Sequence, residues 1–235
     1  MLGITPAWSV EANQAGAGLG VAVGAAGDLN SDGFSDLVAG AVSNLSLVAG
    51  PVTVTGATRV EPTTVLTLAA IPTGGPLAQL KTADAVKAIS ELPQVKSVTV
   101  ERVWPHSVLI TVTERQPVAV ARVAEGYVEV DSMGVAASAV MATLPKGQVA
   151  IDGTPGTPAM RAAVAVVTGI PDGWKLLTVS APTQDAVSIT LSGGVSIVFG
   201  SGDDVARKVA VARALLANKY KRIDVSAPDA PTVRK

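Results

Sequence analysis

The chain contains no cysteine. Disulfides and thiolate metal sites are therefore excluded, although the absence assigns no compartment. Aromatic residues make up only 3% of the 235 residues, while hydrophobic residues reach 48%. The core must then be built from Val, Ala, Leu and Ile, and β-branched side chains favour a pleated, half-buried surface. His106 is the one histidine, placed in a predicted surface turn beside Trp104 and Pro105. No second titratable group is spaced to partner it, so no Ser-His-Asp constellation is legible. A Walker or dinucleotide glycine fingerprint is also missing, because Gly16-Ala-Gly-Leu-Gly20 is too short and wrongly spaced. The sequence does not read as an enzyme.

Long apolar runs are missing too. Each is broken by Gly, Pro or a charge before reaching the ~20 residues that a membrane-spanning helix needs. The N-terminus lacks a basic start followed by an apolar core, so no secretory signal is expected. Net charge is -1, and no segment is basic enough for a nucleic-acid groove. Lys219, Lys221, Arg222, Arg234 and Lys235 form a mild cluster that reads as a solvated end.

The pattern that remains is sheet-rich with a few helices, an α+β chain. Residues 1–47 are rich in Gly and Ala and carry no Lys or Arg, the first being Arg59. A boundary is expected between Ser43 and Ala49. Val52 and Val54 then alternate with threonines and Gly56 ends the run, predicting a strand. Pro62 suits the first turn of a short helix to Ala70. Thr82 is placed to cap a second helix over Ala83–Leu92, whose residues Ala85, Val86, Ile89 and Leu92 share one face. Alternation predicts strands around Val98–Glu101 and Val108–Thr113, joined by a hairpin-like turn at Trp104-Pro-His-Ser107. Trp104 and Pro105 read as fold-building residues, the Trp closing off a core at a strand end. Arg115 is expected to pair with a carboxylate on a facing strand.

Further strands are expected at Val118–Val123, Tyr127–Asp131, Gln148–Ile151, Leu176–Ser180, Ala186–Leu191, Val195–Phe199 and Arg222–Ser226. Thr157 and Pro158 should start a helix that Gly169 ends. A longer helix is predicted over Asp203–Lys219, with Asp203 and Asp204 at its positive end. Their spacing to Arg207 and Lys208 suits helical ion pairs, and Val205, Val209, Ala212 and Leu216 form its apolar stripe. Pro228–Lys235 reads as a tail.

Several words in this order resemble one known family. Val52-Thr-Val-Thr-Gly56, Gly75-Pro-Leu77, Leu92-Pro-Gln-Val95, Val100-Glu-Arg-Val-Trp-Pro105 and Ile110-Thr-Val-Thr-Glu-Arg-Gln-Pro117 are similar to the actinobacterial branch of the FtsQ/DivIB cell-division family. Val130-Asp131-Ser-Met-Gly134, Phe199-Gly200-Ser201, Lys208 and Ile223-Asp224-Val225-Ser226 extend the resemblance. It implies a POTRA domain over residues 48–116 (strand-helix-helix-strand-strand) and a mixed or antiparallel β domain with two helices over 117–235. It further implies a non-enzymatic scaffold on the extracytoplasmic face of the bacterial membrane, at the division septum. The implied partners are division proteins resembling FtsB and FtsL. The family's membrane anchor would be removed or replaced in this chain. By the same resemblance, the partner-binding residues are Arg222, Ile223, Asp224, Val225 and Ser226, an open sheet edge that another chain can join.

The N-terminal extension carries a different signal. In Asp28-Leu-Asn-Ser-Asp-Gly-Phe-Ser-Asp36, oxygen ligands fall at Asp28, Asn30, Asp32, Asp36 and the Phe34 carbonyl, while Gly33 permits a sharp turn. Such a set suits Ca2+. Ala39 stands where an EF-hand needs a bidentate Glu, so this is not an EF-hand. The surrounding residues resemble a single FG-GAP repeat of integrin-type propellers. A lone blade cannot bury its faces. A calcium-dependent extracellular adhesion or recognition module is the alternative function that this segment suggests.

Overall fold

The computed structural model describes residues 17–27, 36–43, 50–72 and 77–235. The fold is α+β, with three sheets among the described residues. The first is a two-stranded antiparallel hairpin of β1 (Ala17–Gly27) and β2 (Asp36–Ser43). Its connecting loop lies outside the described residues.

The second sheet follows the expected strand-helix-helix-strand-strand order. It consists of β3 (Val52–Thr55), α1 (Pro62–Ala69), α2 (Thr82–Ser90), β4 (Val95–Val103) and β5 (Ser107–Glu114). In space the strands run β3-β5-β4. β3 lies parallel to β5, with Val52 opposite Val108, and β4 lies antiparallel to β5. The parallel pair is possible because the two helices supply the crossover. Side chains alternate across a strand, so Val108, Ile110 and Val112 all face the helices. They are buried with Val65, Leu77, Ala85 and Ile89. Each of the Val, Leu and Ile side chains among them contributes ~1.5–3 kcal/mol of burial. Lys81, not Thr82, occupies the cap position of α2 in an extended conformation, and no side chain caps that helix. Asp84 in its first turn offers the positive helix end a negative charge instead.

The third sheet has eight strands in the order β13-β12-β11-β10-β9-β8-β6-β7. They are β6 (Pro117–Val123), β7 (Gly126–Asp131), β8 (Ala150–Asp152), β9 (Leu176–Ser180), β10 (Val187–Leu191), β11 (Ser196–Gly200), β12 (Arg222–Asp224) and β13 (Thr232–Arg234). Helix α3 (Pro158–Gly169) makes the crossover between the parallel strands β8 and β9, and α4 (Val205–Leu216) that between β11 and β12. Both helices cover the same face, where Ala121, Val128, Ile151, Val179, Ile189, Ile197, Phe199 and Ile223 meet Met160, Ala163, Val164, Val209 and Ala212. The alternate residues Thr178, Ser180, Ser188, Thr190 and Ser196 point to the opposite, partly exposed face. Thr157 caps α3 as expected, its hydroxyl oxygen accepting from Met160 N–H at 3.2 Å.

Two expectations about α4 fail for one reason. The helix begins at Val205, and Asp204 before it sits in the left-handed region with φ 50°. Asp203 and Asp204 are therefore off the helix, and helical spacing to Arg207 and Lys208 does not apply. Arg207 pairs instead with Asp229. Lys208 turns inward and is buried, its ammonium donating to the Ser201 carbonyl at 3.0 Å and the Ser201 hydroxyl at 3.2 Å. It thereby ties the loop after β11 to the helix.

Phe199 is fully buried beneath the helices. Phe199→Ala is expected to lower the unfolding free energy by about 3–5 kcal/mol, read from urea denaturation. A loss below about 1 kcal/mol would mean that the packing described for this core is wrong.

Candidate functional site

Glu114 is the last residue of β5 and is buried. Its carboxylate accepts the backbone N–H groups of Thr58, Arg59 and Val60 at 2.8–2.9 Å, and the Thr58 hydroxyl at 2.7 Å. Burial by itself raises a carboxyl pKa. The hydrogen bonds from Val60, from the Thr58 hydroxyl and from the Thr58 and Arg59 amides outweigh it and hold Glu114 at about 2. The result is a lock between the loop after β3 and the end of β5.

The next residue points the other way. Arg115 donates to the Asp131 carboxylate at 2.7 Å, so its partner is at the end of β7 in the eight-stranded sheet. Asp131 is also buried. It accepts the backbone N–H groups of Met133 and Val135 at 2.9 and 3.0 Å. Burial would raise its pKa, but the Val135 amide, Arg115 and the Met133 amide lower it on balance. Gly134 completes the turn at φ +73°, and a Cβ there would stand 2.8 Å from the backbone nitrogen of Arg161. A second link between the sheets joins Arg59 to Glu129. With β6 beginning at Pro117, neighbouring residues of one short segment anchor both sheets.

The edges of the eight-stranded sheet are treated differently. Along β7, the segment Val135–Met141 covers the outer side: Tyr127 and Met141 exchange backbone hydrogen bonds at 2.9 and 2.7 Å, and Ala137 N–H donates to the Glu129 carbonyl at 2.7 Å. The opposite edge was expected at Arg222–Ser226. That expectation is corrected. β12 lies inside the sheet, parallel to β11 on one side and antiparallel to β13 on the other, with Arg222 opposite Arg234 and Asp224 opposite Thr232. Ile223 and Val225 are fully buried, and Val225 N–H already donates to the Val198 carbonyl at 2.9 Å. The Asp224 carboxylate accepts from the amide and hydroxyl of Ser226. The chain turns back after Ser226, and the stretch read as a tail supplies β13. The rim is thus one strand further out, at Thr232–Arg234, whose residues are exposed. Its far side pairs with no strand among the described residues.

Among the described residues, the three-stranded sheet also ends in an open strand, β4, which is nine residues long. Lys96, Glu101 and Arg102 are exposed along it, the kind of charge that protects an edge from indiscriminate pairing. Trp104 does not close off a core. It is 58% exposed in the turn after β4.

An open cleft of about 530 Å³ is lined by Val118, Glu129, Val149, Asp172, Trp174 and Lys175, among others. It brings together no nucleophile and base, and His106 stands apart from it. Among the described residues no cluster of His, Asp and Glu could hold a metal ion. Asp28, Asn30, Asp32 and Phe34 of the calcium-type loop lie outside the described residues, and Asp36 opens β2. Sequence reasoning missed Thr232–Arg234, Glu114 as a buried anchor, and Lys208 as a buried one. The alternation of β5 does place Glu114 on the inner face with Val108, Ile110 and Val112, which was the available signal.

Residues 50–115 match the family description "POTRA domain, FtsQ-type". The chain is 36% identical over 182 residues to a protein named "Cell division protein FtsQ" from Streptomyces griseus, covering 71% of this chain and 86% of that one. A protein of the same name from Corynebacterium glutamicum is 31% identical over 195 residues, covering 80% and 87%. One from Mycobacteroides abscessus is 33% identical over 186 residues, covering 77% and 59%.

The Glu114 lock has a pH signature. A carboxylate held at about 2 against an ordinary value of 4.5 contributes stability that is fully present above pH 4.5 and lost as pH falls towards 2. The wild-type protein should therefore lose urea resistance across that window. Glu114→Gln should be less stable by about 1.5–3 kcal/mol at pH 7 and show a flatter profile between pH 5 and 2. Parallel profiles for the two proteins would remove the assigned role.

Proposed function

Because the chain belongs to the FtsQ family of cell-division proteins, we propose that it is a non-enzymatic scaffold of septum assembly, working on the extracytoplasmic face of the bacterial membrane. Its partners are other division proteins, resembling FtsB and FtsL. They bind by adding a strand to an open sheet edge and by contacting the three-stranded domain.

One observation carries this reading. The eight-stranded sheet covers one rim with its own Val135–Met141 segment and leaves the other, β13, unpaired on its far side among the described residues. An uncovered edge offers a row of backbone donors and acceptors, and a partner strand gains main-chain hydrogen bonds there without any change in the host. Pro228 and Pro231 flank the approach to β13 and lack backbone donors, so they limit how far an added strand can run. Each main-chain hydrogen bond is worth a net ~0.5–1.5 kcal/mol. A few of them plus side-chain contacts suit a specific but reversible assembly. The edge of β4 is the second surface in this proposal, its charges admitting a partner with complementary ones.

The adhesion alternative built on the calcium-type loop is not favoured. The matched residues and relatives fall on the cell-division family.

The rim can be tested directly. Thr232→Pro or Arg234→Pro should weaken binding of the soluble segment of an FtsB-like partner by about tenfold or more, the equivalent of ~1.4 kcal/mol, with the circular dichroism spectrum retained. A photo-crosslinking residue at Thr232 should capture that partner, and one at Ser188 in mid-sheet should not. Unchanged affinity together with capture at Ser188 would refute strand addition at β13.

A further inference from the structure

The parallel pairing of β3 with β5 decides which features share one end of the three-stranded sheet. Val52 stands opposite Val108, so the residues that lead into β3 lie beside the turn that leads into β5. Gly50 N–H donates to the His106 carbonyl at 2.5 Å, and a Cβ on Gly50 would fall 2.3 Å from that oxygen. The chain therefore enters this domain in direct contact with the β4–β5 turn.

That turn presents apolar side chains to solvent. Val103 is 42% exposed and Trp104 58%, and Pro105 and His106 are exposed beside them. Two cations adjoin the turn. Arg102 is exposed and donates to the Leu80 carbonyl at 2.5 Å, which brings it beside the exposed Lys81. A tryptophan joins a broad apolar ring to one N–H donor, the combination that settles where hydrocarbon meets headgroups. Cations flanking it suit a layer of anionic phosphates.

We propose that the tip formed by Val103 and Trp104 seats in the interfacial layer of a phospholipid bilayer, with Arg102 and Lys81 at the level of the phosphates. This rests on the reading of the chain as a membrane-associated division protein and adds to it a surface and an orientation. The entry side of the three-stranded domain faces the membrane. Two apolar side chains bind weakly as a free ligand. They act on a chain already held at the surface, where the effective concentration is high.

The test uses the full chain carrying an N-terminal hexahistidine, held on vesicles of phosphatidylglycerol, brominated phosphatidylcholine and a nickel-chelating lipid. Trp8→Phe and Trp174→Phe leave Trp104 as the reporter. Bromines placed high on the acyl chains should quench its emission at least twofold and more strongly than bromines near the bilayer centre, with a blue shift. Val103→Asp should remove both effects without changing the melting temperature by more than a few degrees. The proposal falls if Trp104 keeps the emission of a solvent-exposed ring on these vesicles, or if Val103→Asp leaves the quenching intact. It also falls if Trp104 becomes shielded only when a division protein is added, which would make the tip a protein contact. Binding of the FtsB-like segment at β13 is measured on the same sample. Loss of quenching with that binding intact overturns the membrane contact alone, and the reverse outcome overturns strand addition alone.

Discussion

The structure depends on a buried carboxylate and the residue that follows it. Glu114 gathers three consecutive backbone amides and a hydroxyl, so the loop after β3 has no freedom to leave the end of β5. Arg115 then reaches Asp131, which organises the turn at Met133–Val135. Removing the Glu114 carboxylate would leave the buried Val60 amide unsatisfied, at a cost of ~1–3 kcal/mol, and would strip the acceptor from the partly buried Thr58 and Arg59 donors. A surface ion pair carries no comparable penalty. This is why the segment Glu114–Pro117 can serve as a joint between two sheets.

The eight-stranded sheet shows what the joint carries. Its order in space nearly follows its order along the chain, with β7 at one rim and β13 at the other. The turn held by Asp131 launches the very segment that blankets the β7 rim, so hydrogen bonding at the joint and closure of one edge are coupled. Near the far rim, Lys208 fixes the loop after β11 and the Arg207–Asp229 pair fixes the loop after β12. Among the described residues, the sheet is thus sealed at the end next to the three-stranded domain and unsealed at the end remote from it.

Most of the architecture was legible in the sequence, for a local reason. Alternating Val and Thr in β3 and β5, and the spaced apolar residues of α2, announce their period within a few residues, and Thr157, Pro158 and Gly169 mark the ends of α3. What was hidden depends on distant partners. Thr232-Val-Arg234 is three residues long and preceded by Pro231, so no alternation can accumulate, and only the register against β12 makes it a strand. Lys208 sits at a charged-looking helix start, and only the approach of Ser201 turns it inward. Trp104 looked like a core lid because tryptophan usually is one. Its exposure follows from its place in the turn beyond the end of β4. The family words placed the open rim one strand too early, because β12 carries the recognisable residues and β13 carries none.

Strand order also has a temporal meaning. A sheet whose neighbours are mostly successive segments can be built outward from β6, each new piece docking on one already in place, and short separations between contacting residues favour rapid formation. Built in that order, the rim at β13 would be completed last, because its only strand partner among the described residues is β12, which itself needs β11. A nascent or damaged copy that stalls before this step has no finished margin to present. Recruitment at that margin would therefore select for copies that are completely folded, with no separate inspection step.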